Sequence, residues 1–160
     1  MVSGIGYLVS GGDKAKPIIK GFTDLVAWQE GHKLALMIYN VTKKFPSDEK
    51  HGLSNQMRRA CVSVTSNIAE GFSRATASDK ARFYDMSLGS VTELQNQLLL
   101  ARDLHYIEAS LFEAPANQSV RVLKLTTGLR KAVMSGKGVR PRQPNTRYQI
   151  LDTEERNDNE

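Results

Sequence analysis

Arg58 and Arg59 stand side by side in the run GLSNQMRRACVSVTSNIAEGFSR, residues 52–74. Fixed guanidinium charge suits phosphate oxygens, and each neutralised phosphate releases counterions. Arg74, Lys80 and Arg82 follow and, with the pair, would line one basic surface around the end of a helical domain. These five are the candidate nucleic-acid contacts. Lys43, Lys44 and Lys50 form a second basic cluster, and Arg121, Lys124, Arg130 and Lys131 a third. The target that fits is structured RNA or DNA read by shape and backbone. Few aromatic side chains are available for stacking on bases.

Other chemistry finds little support. His32, His51 and His105 are far apart and lack ligand spacing. No Glu-x-x-His pair is present to build a di-iron bundle site. Ser63 and Ser66 have no histidine beside them, and Gly4-Ile5-Gly6 lacks the rest of a phosphate-binding fingerprint. The single cysteine, Cys61, falls on an apolar helical face and reads as a small buried residue. The expectation is a non-enzymatic protein with no catalytic residue, no metal and no cofactor.

The same run carries a polar stripe. Gln56, Ser63, Asn67 and Glu70 follow one another at helical spacing beside the apolar track Leu53, Met57, Ala60, Cys61, Val64, Ile68 and Phe72. Such a stripe suits register-setting between helices or subunits. If Asn67 is buried, it needs hydrogen-bond partners, and another helix is the expected source. Glu70 and Arg74 are spaced as an i,i+4 pair.

Four helices position these groups. The first is expected over roughly 24–44, capped by Thr23 or Asp24, with Leu25, Trp28, Ala35, Ile38 and Tyr39 inward and Phe45 just beyond. Pro46 ends it. The second runs from Ser47 to about Phe72, with Asp48 and Glu49 in its first turn. Its β-branched stretch Cys61–Ser66 reads locally as a strand, but the longer period favours helix. Ser78 caps the third, about 79–104, with Phe83, Ser87, Ser90, Val91, Leu94, Leu98, Ala101 and Leu104 inward. Leu88, Leu99 and Leu100 lie off that stripe, so they are candidate oligomer-interface residues. Residues 105–116 form a connector, and Pro115 precedes a fourth helix over about 116–135. Val120, Leu123, Thr127, Arg130 and Met134 share one track of it. Val122, Leu125, Leu129 and Val133 share the next. The result is an all-α, antiparallel up-down-up-down four-helix bundle.

The 160 residues suit one domain: an irregular, flexible Gly-rich arm over 1–22, the bundle over 23–136, and a disordered charged tail over 137–160. Net charge is +5, a mild attraction to polyanions. No apolar run approaches the length of a membrane span, and the N-terminus does not pattern as a signal peptide, so a cytoplasmic protein without membrane contact is expected.

Further residues carry a resemblance. Leu25-Val26-Ala27-Trp28-Gln29, Tyr39, Phe45-Pro46, Gly52-Leu53, Gln56-Met57-Arg58-Arg59-Ala60, Asn67-Ile68-Ala69-Glu70-Gly71, Gly89-Ser90 and Glu93-Leu94 resemble the four-helix bundle proteins encoded in intervening sequences of bacterial 23S ribosomal RNA genes. The likeness covers roughly 22–135 and rests most on NIAEG together with QMRRA. It implies a small all-helical protein that forms a homo-oligomer, favouring a ring-like pentamer. A more distant similarity is to the accessory proteins of diversity-generating retroelements. It implies binding to nucleic acid or to a polymerase-type protein partner, the latter making this chain a scaffold or accessory subunit.

Overall fold

A computed structural model describes residues 19–136. Residues 1–18 of the expected arm over 1–22 and the whole of the expected tail over 137–160 lie outside them. Four helices follow one another: α1 (Val26–Thr42), α2 (Leu53–Ser73), α3 (Ala77–Asp103) and α4 (Ala109–Met134). α1 packs on α2 and α4, α2 on α3, and α3 on α4, which closes a square bundle. Cross-helix pairs show the antiparallel sense. Ser63 meets Ser90 while Lys80 reaches Phe72, and Gln95 meets Ser119 while Arg130 reaches Asp85.

The core follows the apolar periodicity of the helices. In α2, Met57, Ala60, Cys61, Val64, Ile68 and Phe72 are all buried, and Cys61–Ser66 is helical. The α1 face turns slightly from the expected one: Leu34 and Ile38 are fully buried, whereas Trp28 is half-buried and Tyr39 exposed. In α3, Tyr84 takes the core place expected for Phe83, and Leu104 is exposed. In α4, the track through Val122 and Val133 is the inward one, joined by Ser119 and Thr126, while Val120 and Met134 face out.

Helix ends depart from expectation for local reasons. Asp24 does not cap α1. Its carboxylate accepts from the Lys20 and Gly21 amides at 2.8 and 3.1 Å, closing a 3-10 turn (Phe22–Asp24) ahead of the helix. Ser47 does not start α2, because Ser47–Lys50 is a separate 3-10 turn. Glu49 from that turn accepts from the Leu53 amide at 2.7 Å and so caps α2 with a carboxylate. A Cβ at Gly52 would fall 2.4 Å from the Glu49 oxygen, so a side chain there would push the capping carboxylate aside. Thr76 rather than Ser78 caps α3, accepting from the Asp79 amide at 3.1 Å.

The largest correction is at α4. It begins at Ala109, two turns before the expected start, and Pro115 sits buried inside it. The α3–α4 link shrinks to five residues because α3 ends in a Schellman motif: the Tyr106 amide donates to Ala101, the His105 amide to Arg102, and His105 takes φ +59°. Proline removes one helical hydrogen bond but does not forbid helix on its N-terminal side.

Candidate nucleic-acid interface

Arg58 and Arg59 occupy the second turn of α2, near the bundle end where α1 finishes. Arg58 is half-buried and held in place. Its Nε donates to Thr42 Oγ1 at 2.9 Å, and its guanidinium lies 5.1 Å from the centre of the Tyr39 ring. Thr42 is itself fixed, donating to the Ile38 carbonyl at 2.8 Å. Both contacts are uncharged, so the arginine is oriented without being neutralised. Arg59 is exposed. Neither has a carboxylate partner among the described residues.

The pair opens on a shallow groove of about 600 Å³ lined by Tyr39, Asn55, Arg58, Arg59, Val62 and Ser63. Tyr39 and Val62 are 41% and 45% exposed and give it apolar walls. Asn55 and Ser63 add neutral hydrogen-bonding groups. Lys43 and Lys44 continue the chain from Thr42, and Lys50 lies in the turn leading into α2; all three are exposed. The second basic cluster read from the sequence therefore adjoins the first.

The other three candidates lie elsewhere. Arg74 is sixteen residues along the α2 chain from Arg58, about 24 Å at 1.5 Å per residue. Arg74 pairs with Glu70 and covers the Phe83 ring at 4.6 Å. Arg82 is exposed and approaches the same ring at 5.3 Å. Lys80 is only 8% exposed. Its Nζ donates to the Phe72 and Gly71 carbonyls at 2.5 and 3.3 Å, and burial lowers its pKa. It closes the C-terminal end of α2 and offers little charge to solvent. The five cations thus form two groups at opposite ends of α2. In the third cluster, Arg121 pairs with Glu30 at 3.0 Å and Arg130 pairs with Asp85, leaving Lys124 and Lys131 without carboxylates among the described residues.

The polar stripe also divides. Asn67 donates to the Ser63 carbonyl at 2.8 Å and to Ser63 Oγ at 3.1 Å, one turn upstream on its own helix rather than on another. Ser63 Oγ in turn meets Ser90 Oγ at 2.9 Å, and Ser87 donates to the Val64 carbonyl at 2.9 Å. These bonds tie α2 to α3. Gln56 faces solvent, and Glu70 serves Arg74. Leu88 is half-buried, whereas Leu99 and Leu100 are 45% and 48% exposed.

The groups that line the groove or hold Arg58 in it escaped the sequence reading. Tyr39 was expected inward, and Thr42 and Asn55 carried no signal of their own. The i,i+3 spacing of Tyr39 and Thr42 is the only hint, and it gains meaning once α2 is known to cross α1 there. No group of metal-ligating side chains exists among the described residues, and none of their helices is long and apolar enough to cross a membrane. Burial pushes the Cys61 thiol up to about 11, which leaves it protonated and unreactive near neutral pH.

A protein of unknown function from the S23 ribosomal protein family of Bacteroides thetaiotaomicron has a similar structure. It is 23% identical, covers 66% of this chain and 99% of its own, and superposes with a TM-score of 0.62, a likeness of fold alone. No curated protein matches the chain. The family model of the 23S rRNA-intervening sequence protein matches residues 23–128, and the chain belongs to that family.

Proposed function

We propose that this protein is a non-enzymatic helical bundle that assembles with copies of itself and binds structured RNA or other nucleic acid through the groove at Arg58 and Arg59. The observation that carries this reading is the pair's uncompensated charge. Four of the seven arginines in residues 19–136 have carboxylate partners, and these adjacent two do not. Arg58 is also pre-oriented by Thr42 and Tyr39, so little side-chain entropy remains to be lost on binding. Asn55 beside the cations suits ribose hydroxyls and phosphate oxygens, the groups that a shape-reading protein contacts.

A fluorescent RNA hairpin titrated across a salt series tests the proposal. Wild-type protein is expected to bind with a clear salt dependence. Arg59→Ala, which removes no contact within the described residues, should weaken binding several-fold and reduce the salt slope by about one. The double variant Arg58→Ala, Arg59→Ala should weaken it further. Unchanged affinity and slope in both variants would remove the groove from the interface. A salt-tolerant complex with a polypeptide and no RNA affinity would favour the scaffold role instead.

A further inference from the structure

The groove's charge is unanswered within residues 19–136, yet the same chain carries an answering segment. Residues 148–160 read YQILDTEERNDNE. Tyr148, Ile150 and Leu151 come first, and Asp152, Glu154, Glu155, Asp158 and Glu160 follow, with Arg156 as the one cation. The segment is net −4 in a chain that is net +5. Its order, apolar then acidic, complements a groove in which Tyr39 and Val62 stand beside Arg58 and Arg59.

We infer that residues 148–160 occupy the Tyr39–Arg58–Arg59 groove when nucleic acid is absent, and that nucleic acid must displace them to bind. The inference rests on the function proposed above and assigns a regulator to the same site. Tyr148, Ile150 and Leu151 cover Tyr39 and Val62, while the carboxylates stand in for phosphates against the two guanidiniums.

The reach is sufficient. α4 finishes at the bundle end where α2 also finishes, and the groove lies about 22 Å up α2 from there, counted from Ser73 to Arg58. Crossing to α2 from the helix diagonal to it makes the path roughly 30 Å around the surface at ordinary helix spacings. The twelve residues from Gly136 to Tyr148 span up to about 40 Å when extended. Linkage in one chain supplies an effective concentration on the order of millimolar, so a weak contact suffices to fill the groove. The nearer groove on α4, lined by Asn117, Val120, Arg121, Lys124 and Leu125, fits less well because Glu30 already neutralises Arg121.

Two full-chain measurements test this. In the first, a photo-crosslinking benzoylphenylalanine replaces Tyr148, and crosslinked peptides are mapped without nucleic acid. Crosslinks to the peptides holding Tyr39 or Val62, lost when an RNA hairpin is added, are the expected result. Crosslinks confined to the basic stretch 137–147, to the α4 groove or to another copy would overturn the inference. In the second, the RNA titration is repeated on a variant with Asp152→Asn, Glu154→Gln, Glu155→Gln, Asp158→Asn and Glu160→Gln. A groove filled nine-tenths of the time gives about tenfold tighter binding once the segment is released. Ile150→Ser with Leu151→Ser leaves the charge unchanged and should also tighten binding, which separates docking from long-range charge. Equal affinity in all three proteins would sink the inference. If none of them binds RNA, the proposed function falls, and the crosslink map alone decides whether the segment sits in the groove.

Discussion

Gln118 of α4 donates from one side-chain amide to both the main-chain carbonyl and the carboxylate of Glu30 in α1, at 2.9 and 2.8 Å. Lys33 adds a third contact at 2.8 Å and Arg121 a fourth at 3.0 Å. The Lys33 hydrogen bond does most to hold this carboxyl down to about 2, from 4.5, with Gln118 next. Burial opposes them and the Arg121 charge assists. A depressed carboxyl adds stability that is complete above its ordinary pKa and fades as pH falls through the folded value. Glu30→Gln should therefore cost about 1–2 kcal/mol at pH 7, as charge-assisted bonds become neutral ones. Urea unfolding at several pH values checks the sign. The gap between the two proteins should narrow below pH 4.5 and close near pH 2, and a gap independent of pH would place the cost elsewhere.

Lys80 is predicted to matter for stability and not for nucleic acid. Lys80→Met keeps the aliphatic stem but takes the Nζ donor from the Phe72 carbonyl and one of two donors from the Gly71 carbonyl, which keeps the Arg74 amide. The expected loss is about 1–3 kcal/mol in urea unfolding, with RNA affinity unchanged. Weaker RNA binding at unaltered stability would return Lys80 to the interface.

The glycines give opposite predictions for one substitution. A Cβ on Gly71 would lie 2.6 and 2.9 Å from Tyr84 ring atoms and 3.1 Å from Phe83 Cβ, where α2 and α3 converge. Gly71→Ala should destabilise by about 1–3 kcal/mol, because a ring wedged in a packed core cannot yield freely. At Gly89 and Gly128, exposed in mid-helix, a Cβ meets nothing within 4 Å. Alanine at either should raise stability by about 0.5–1 kcal/mol in thermal unfolding. A loss of stability at Gly89 or Gly128 would mean that another copy packs against that helix surface.

How far the sequence was legible depended on each helix's contrast between faces. α2 has strong contrast, and the apolar residues from Met57 to Phe72 named from spacing are the ones buried. α3 has little. Ser87 lies inward and Leu99 and Leu100 outward as their spacing indicates, but Leu104 faces out, and Tyr84 and Gln97 rather than Phe83 are buried, so hydrophobicity alone misassigned part of the stripe. Pro115 hid the first two turns of α4, since a proline reads as a start whether it opens a helix or sits inside one. The adjacency of Arg58 and Arg59 was plain. Their separation from Arg74 and Lys80 follows from a single unbroken α2, and the part played by Thr42 and Tyr39 follows from how α1 crosses it.

Leu99 and Leu100 bear on assembly. Together with Leu104 they leave three large apolar side chains, each near half exposed, within six residues at the C-terminal end of α3. Burying such side chains against a neighbour would yield about 25 cal/mol per Å² of apolar surface removed from water. Leu99→Lys would place a charge in that contact while disturbing nothing in the protomer's own core. The variant should fold with wild-type helicity and elute at the mass of a single chain in light scattering, where the wild type is expected to elute at the mass of an oligomer. An unchanged assembly mass would clear this face of α3 and shift attention to the exposed side of α4, where Leu111, Val120 and Met134 are large apolar residues open to solvent.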